Sequence, residues 1–291
     1  MKQIRKLYLQ NAAGDRRDLN GKNGVYASNL AGFGVSLKPK FADLGGGFFP
    51  EISNESEPQN TLAFTITLTV NPYTAHQSFM DWLAASGSLT IVYDPTGTQE
   101  YFRDVAVSYV QKGELNQVGW LELLCSFSCK TPWYRPQPTA LNITGTGQDA
   151  RKRYPYTYVY RYGADTSAKI DTFIAGTGHI PGSIKLTFRG AVTNPQLRLV
   201  GNVTGKVYGT CSLSAVFDEG ETLAYSSLYE NSFVKRIAVD GTETDLIDEL
   251  DLGLTPFFHI PVTEPCTLTL TAAAPFIGRL ELLIYRYYRS V

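Results

Sequence analysis

The chain is short of charge. Asp, Glu, Lys and Arg make up 18% of its 291 residues, against roughly 25% in an average soluble domain. The formal net charge is −1, so no overall field draws the protein to nucleic acid or to an anionic membrane. Basic residues cluster at Arg16-Arg17 and Arg151-Lys152-Arg153, runs too short for a nucleic-acid patch and expected to be solvated loops. The four cysteines (Cys125, Cys129, Cys211, Cys266) are scattered without a CxxC pair, which argues against zinc modules and dithiol redox motifs and leaves a reduced, structural role. Three histidines (His76, His179, His259) stand far apart and no HExxH is present, so a catalytic zinc site has no support and no metal is expected. No apolar run approaches the roughly 18 residues of a membrane span. The N-terminus, MKQIRKLYLQNAAG, has charges and no continuous apolar core. It does not read as a signal peptide, and synthesis in a cytoplasm with release by another route, such as lysis, is expected.

Aromatic residues are abundant instead, with 18 Tyr and 15 Phe. Few charges and many aromatics suit a chain that covers much of its surface with partners. The length suggests two domains, each large enough to bury a core without disulfide or metal staples.

Period-two alternation dominates the first half. Thr61 to Val70 sets Leu62, Phe64, Ile66, Leu68 and Val70 on one face and mostly threonines on the other, a strand with one buried side. Val118 to Cys129 repeats the pattern with Leu121, Leu123, Cys125, Phe127 and Cys129. Ser88 to Tyr93 and Tyr101 to Val110 also read as strands, separated by the turn Asp94-Pro95-Thr96-Gly97. Between the first two lies one helix, Thr74 to Ser86, with Phe79, Trp82 and Leu83 on a shared face and Gly87 to close it. After Cys129, the three prolines of Thr131 to Pro138 each remove a backbone donor and argue against a central strand. A domain boundary is expected there, with 141–153 as linker. Beyond it, Ile184–Phe188, Gln196–Val200, Lys206–Phe217, Glu221–Leu228, Phe233–Val239, Cys266–Ala272 and Leu280–Tyr287 read as short strands of a β-sandwich.

Few constellations suggest chemistry. Tyr154, Tyr156, Tyr158, Tyr160 and Tyr162 fall on one face of an extended segment. They could stack on sugars, line a protein interface, or form a half-buried strand. The run Glu243 to Asp251 carries Glu243, Asp245, Asp248, Glu249 and Asp251, without the spacing of a calcium loop and without a defined cleft for acid/base hydrolysis. An exposed acidic turn or short helix is the plain reading. Gly145 to Ala150 matches a G-x-G-x-x-A pattern, but Arg151-Lys152-Arg153-Tyr154-Pro155 follows it, not an apolar helix. No catalytic residue, cofactor site or metal site emerges. A carbohydrate-binding module, resting on the tyrosine row, and a glycan hydrolase, resting on the acidic run, are the rival classes.

Read as a whole, the chain resembles the distal tail proteins of siphophages and prophages of Gram-positive bacteria. KLYLQNAAG, GFGVSL, an alternating strand, a helix ending in WLAASG, SLTIVYDP, FRDVAVSYVQKGEL and LLCSFSCKTPWYRP follow the family's order. The exit Thr131-Pro132-Trp133-Tyr134 is the most suggestive piece. Gly178 to Ile184, Asn194 to Leu197, Gly220 to Leu223 and Phe257 to Val262 are similar to its galectin-like partner domain, whereas LAYSSLYENSF departs from the pattern. The resemblance implies a mainly β protein: an N-terminal β-sandwich-like ring domain with one short helix, then a C-terminal galectin-like β-sandwich. It implies residues 1–140, with 279–291 returning, as the hub domain and 154–278 as the outer domain. It also implies a structural, non-enzymatic part of the virion tail tip, of a phage or a phage-tail-like particle, assembled in the host cytoplasm. Its expected partners are further copies of itself in a hexameric ring, the tail tube protein, the tape-measure protein, a tail-associated lysin or hub protein, and receptor-binding or baseplate proteins, with no nucleic acid and no membrane.

Overall fold

A computed structural model describes residues 5–41, 51–143, 169–175 and 178–291. The chain divides into two compact units, residues 1–135 with 287–291, and residues 136–286.

The first unit runs β1 (Lys6–Asn11), β2 (Arg16–Asp18), β3 (Val25–Ala31), β4 (Val35–Phe41), β5 (Glu51–Pro58), β6 (Thr61–Leu68), α1 (Pro72–Ala85), β7 (Leu89–Asp94), β8 (Tyr101–Leu115), β9 (Leu121–Cys129) and the start of β10 (Trp133–Ile143). Strand β8 changes partner along its length. Tyr101 to Val105 pair with β7, and Val105 to Leu115 pair with β9 through two bulges. One long strand therefore belongs to two ladders, β2-β1-β7-β8 and β8-β9-β6-β3. The alternation in the sequence decides which side chains meet. Leu62, Phe64, Ile66 and Leu68 of β6 join Leu121, Leu123, Cys125 and Phe127 of β9, and Leu7, Leu9, Leu89, Ile91 and Val105 join them from the other ladder. Each such side chain, fully buried, contributes about 1.5–3 kcal/mol. Helix α1 starts at Pro72, whose missing N–H costs nothing in the first turn. It packs Phe79, Trp82 and Leu83 onto this core, and Ser86 Oγ donates to the Trp82 carbonyl at 2.6 Å near its end. The Asp94 turn is built from its own amides. Burial works against the ionised carboxylate, yet the amides of Gln99, Thr96 and Gly97 donate to it and hold its pKa below the usual range. The last five residues belong to this unit, with Tyr288 and Val291 packed on its core and Tyr288 edge-on to Tyr101 at 5.3 Å.

The second unit contains β11 (Lys169–Ile174), β12 (Ile180–Arg189), β13 (Val192–Thr193), β14 (Gln196–Gly201), β15 (Val207–Ser212), β16 (Val216–Phe217), β17 (Thr222–Leu228), β18 (Asn231–Ile237), β19 (Glu243–Asp245), β20 (Cys266–Thr271) and most of β21 (Gly278–Tyr288). Two sheets, β19-β18-β17-β12-β21 and β11-β20-β14-β15, are all antiparallel where register is defined within them. Ile184, Leu186, Phe188, Leu223, Tyr225, Leu280, Leu282 and Ile284 from the first share one core with Ile174, Leu197, Leu199, Cys211, Leu268 and Leu270 from the second. This is a sandwich with inner faces made by alternate residues.

The mainly β reading with a single α-helix holds for the described residues. One local expectation fails. The proline-rich exit does form a strand, β10, running through Pro136 and Pro138. Prolines two apart in a strand lack donors on the same edge, so the opposite edge keeps its hydrogen-bonding capacity. The register of β10 with β8 is the pair Tyr134↔Phe102, ahead of those prolines. The sequence pattern also does not single out the hairpin of β4 and β5, nor the two-residue strands β13 and β16. Most of the expected linker 141–153 lies outside the described residues.

Candidate functional site

The four-stranded ladder of the first unit buries one face and leaves the other open. Register fixes which residues share the open face. Tyr26 stands opposite Thr67, and Thr67 opposite Glu122; Thr65 stands opposite Leu124, and Leu124 opposite Gln111. Tyr109 pairs with Ser126 in the adjoining row. Tyr26, Tyr109, Trp120 and Leu124 are each 40–48% exposed, an unusual concentration of large apolar side chains on a strand face whose other residues are mostly Thr and Ser with Gln111 and Glu122. Tyr26, Thr67, Thr69 and Trp120 line an open groove of about 490 Å³.

The β8–β9 hairpin carries this face beyond the core, and its tip is locally built. Asn116 Oδ1 accepts from the amides of Val118 at 3.0 Å and Trp120 at 2.9 Å. The Asn116 amide in turn donates to the Trp120 carbonyl at 2.9 Å. Gly119 adopts φ +80°, a conformation that a side chain would strain. The turn thereby holds Val118 (69% exposed) and Trp120 outward in one arrangement, so docking a partner there orders little new backbone. At the other end of β8, buried Arg103 donates from Nε to the Thr131 carbonyl at 2.9 Å and from Nη2 to the Gln59 carbonyl. Its guanidinium lies 5.5 Å from the ring centroid of fully buried Trp133. Burial depresses the Arg103 pKa. The Trp133 of the Thr131–Tyr134 exit is thus a core pin, packed on Phe33 at 5.3 Å.

Among the described residues, those singled out for chemistry are not gathered into one cluster. Tyr154, Tyr156, Tyr158, Tyr160 and Tyr162 lie outside the described residues, as does Gly145–Ala150. Glu243 and Asp245 lie in a short exposed strand, Asp248 and Glu249 in a 3-10 turn, and Asp251 just after it, all exposed. Glu243 pairs with Lys235 at 2.8 Å. Asp245 Oδ1 accepts from the Ile247 amide at 3.0 Å, and Asp251 Oδ1 from that of Gly253 at 3.0 Å. These carboxylates cap turns. No group of three or more His, Cys, Asp or Glu side chains is arranged to hold a metal among the described residues. All four cysteines are free, and burial pushes the Cys125 and Cys211 thiols up to about 12 and Cys266 to about 11, away from thiolate reactivity. His259 stacks on Tyr229 at 4.0 Å, and burial lowers its pKa.

Sequence reasoning missed Glu264, a buried carboxylate (5% exposed). The Thr204 hydroxyl donates to it at 2.6 Å, the Tyr208 hydroxyl donates as well, and the Thr204 and Val203 amides each donate at 3.0 Å. The Thr204 and Tyr208 hydrogen bonds lead in holding its pKa down at about 2. A Cβ on Gly201 would stand 2.3 Å from this carboxylate, so that position admits no side chain without a shift. The donors come from the β14–β15 turn and the first residues of β15, and the role is to pin residues 203–208. Its one hint in the sequence is an acid wedged between Thr263 and Pro265 ahead of an alternating strand.

Residues 6–130 match the family model for the distal tail protein, N-terminal domain. This segment carries the N-terminal domain of the distal tail protein family. Members are structural proteins of the phage tail tip, and the relatives are virion components. The likeness in fold extends beyond that segment. The phage P2 baseplate in its activated conformation with calcium contains a chain that matches with a TM-score of 0.63 and 15% identity, covering 99% of this chain and 100% of that one. The same baseplate with strontium gives the same values. The SPP1 Dit protein, described as a paradigm of the hub adsorption apparatus in phages infecting Gram-positive bacteria, matches with a TM-score of 0.54 and 10% identity over 96% of this chain and 98% of that one. No curated protein sequence matches.

Proposed function

We propose that this chain is the ring-forming hub of a siphovirus-type tail tip, joining the tail tube to the baseplate and receptor-binding apparatus without catalysing a reaction. The observation that carries this reading is the open, aromatic-bearing sheet face of the first unit, in the same segment that matches the family domain. An exposed set of Tyr26, Tyr109, Trp120 and Leu124 on a charge-poor strand surface is what an obligate protein contact requires. In isolation it is an aggregation hazard that a closed ring removes. Six copies is the number the family implies. The tail tube, the tape-measure protein, a tail-associated lysin or hub protein and baseplate proteins are the partners. The first unit serves as the ring domain and the second as the outer domain, with the chain end returning to the ring domain. Assembly takes place in the host cytoplasm before release. Mass photometry of the purified full chain tests this: rings are expected, each contact burying about 2,000 Å² or more. Tyr26→Asp combined with Trp120→Asp should give folded monomers. A wild-type protein that stays monomeric at high concentration, alone and with tail tube protein, overturns the ring. Cell-wall cleavage by purified protein overturns the absence of catalysis.

A further inference from the structure

We infer that the outward face of the four-stranded sheet in the second unit binds a saccharide chain that carries an acidic group. Register builds this face. Asp171 stands opposite Thr269, Thr269 opposite Arg198, and Arg198 opposite Thr210, so one row crosses β11, β20, β14 and β15. Lys169, Thr271, Gln196 and Ser212 make the next row in the same order. With strands about 4.8 Å apart, each row is about 14 Å wide, the span of a short oligosaccharide. The intervening residues Ile174, Leu197, Leu199, Leu268 and Leu270 point into the core, and that alternation commits the other set to the outside.

All eight positions in these two rows carry a hydrogen-bonding group, the pattern a polyhydroxylated ligand needs. At the edge, Phe173 is 65% exposed and offers a ring face for the C–H surface of a sugar. Asp171 is already occupied: Thr269 Oγ1 donates to it at 2.7 Å, and Lys169 Nζ lies 2.9 Å from its other oxygen. Arg198 is exposed and has no ion-pair partner among the described residues. One uncompensated guanidinium therefore stands in the middle of a hydroxyl field. Its fork matches a carboxylate or a phosphodiester on a glycan. A protein partner fits less well, because the interior of a protein contact is aromatic and aliphatic, whereas the apolar contributions here, Phe173, Val200 and Val207, are confined to one row at the end of the face. A shallow face of this kind binds one chain weakly, with Kd about 1 mM, and clustered copies strengthen it through multivalency.

Surface plasmon resonance on immobilised full-length protein, with hexagalacturonate, poly(glycerol phosphate) and cellohexaose as probes, tests the site independently of ring assembly. One of the two acidic probes should bind saturably, roughly tenfold tighter than cellohexaose, and which one binds identifies the acidic group. Arg198→Gln should erase the preference and Phe173→Ala should weaken binding roughly tenfold, both with unchanged thermal unfolding. Hydrogen exchange should show protection at 169–174, 196–201 and 266–271. The inference falls if no probe binds, if cellohexaose binds as well as the acidic probes, or if Arg198→Gln changes nothing. It also falls if cross-linking in assembled tails shows this face covered by another tail protein.

Discussion

Each unit presents one open sheet face, and the two are built on the same ground. Both are antiparallel, and both line an interior strand, β6 in one and β20 in the other, mostly with outward Thr. They differ in what is set into that ground. The first unit carries Tyr26, Tyr109, Trp120 and Leu124; the second carries Lys169, Asp171 and Arg198, with Phe173 at its edge. The ladder holds the side chains in rows at fixed spacing, and the few non-hydroxyl side chains decide whether a row suits protein or a charged, hydroxylated ligand. Scaffold and recognition are therefore separable here, as in other widely reused β folds.

Four perturbations break or sharpen this comparison, from the largest expected effect down. Trp133→Ala removes a fully buried indole from the first core and should destabilise that unit by about 3–5 kcal/mol. Denaturation followed by hydrogen exchange should show the loss in 5–135 while the second unit keeps its protection; equal loss in both would erase the distinction between two cores. Deleting Tyr287–Val291 strips Tyr288 and Val291 from the same core. It should cost about 2–4 kcal/mol, again confined to the first unit and read by the same exchange experiment.

The third perturbation touches only the second unit. The folded pKa of Glu264 is about 2, below the ordinary 4.5. Its contribution to stability is present above the ordinary value and is lost as pH falls from about 4.5 towards 2. Thermal unfolding of the second unit should drop across that window, and Glu264→Gln should flatten this part of the profile while lowering stability at neutral pH. A pH profile unaltered by the substitution would remove the carboxylate from the account. The smallest effect belongs to the open faces themselves. Trp120→Ser and Arg198→Gln should each change monomer stability by no more than about 0.5 kcal/mol in chemical denaturation, because neither side chain supports a core.

Much of the fold was legible because alternation with one buried face is a local property of sequence. The helix was expected from Thr74 to Ser86 and runs Pro72–Ala85. Strands β6, β7, β9, β14 and β20 lie within a few residues of the expected Thr61 to Val70, Ser88 to Tyr93, Val118 to Cys129, Gln196 to Val200 and Cys266 to Ala272. Strand β10 was missed because proline counts against a strand only where its lost donor faces a partner, and pairing edges are not written locally. The open face of the first unit was half legible: its threonines were visible as the polar side of an alternation. That Tyr26 joins Trp120 and Leu124 on it was not, because Tyr26 comes from a different strand and the order of strands in a sheet is not written locally.

The sequence alone determined the class of the protein, its alternating strands, the helix, the absence of a recognisable catalytic motif and the resemblance to its family. Each of these depends on residues close together along the chain. The tertiary structure decided which rows stand side by side, where β8 changes partner, that Arg103 and Trp133 are buried together, and that Glu264 pins a turn some 60 residues away in sequence. Strand register is settled by burying two ladders against one core, and one residue of slip would move every apolar side chain to the wrong face.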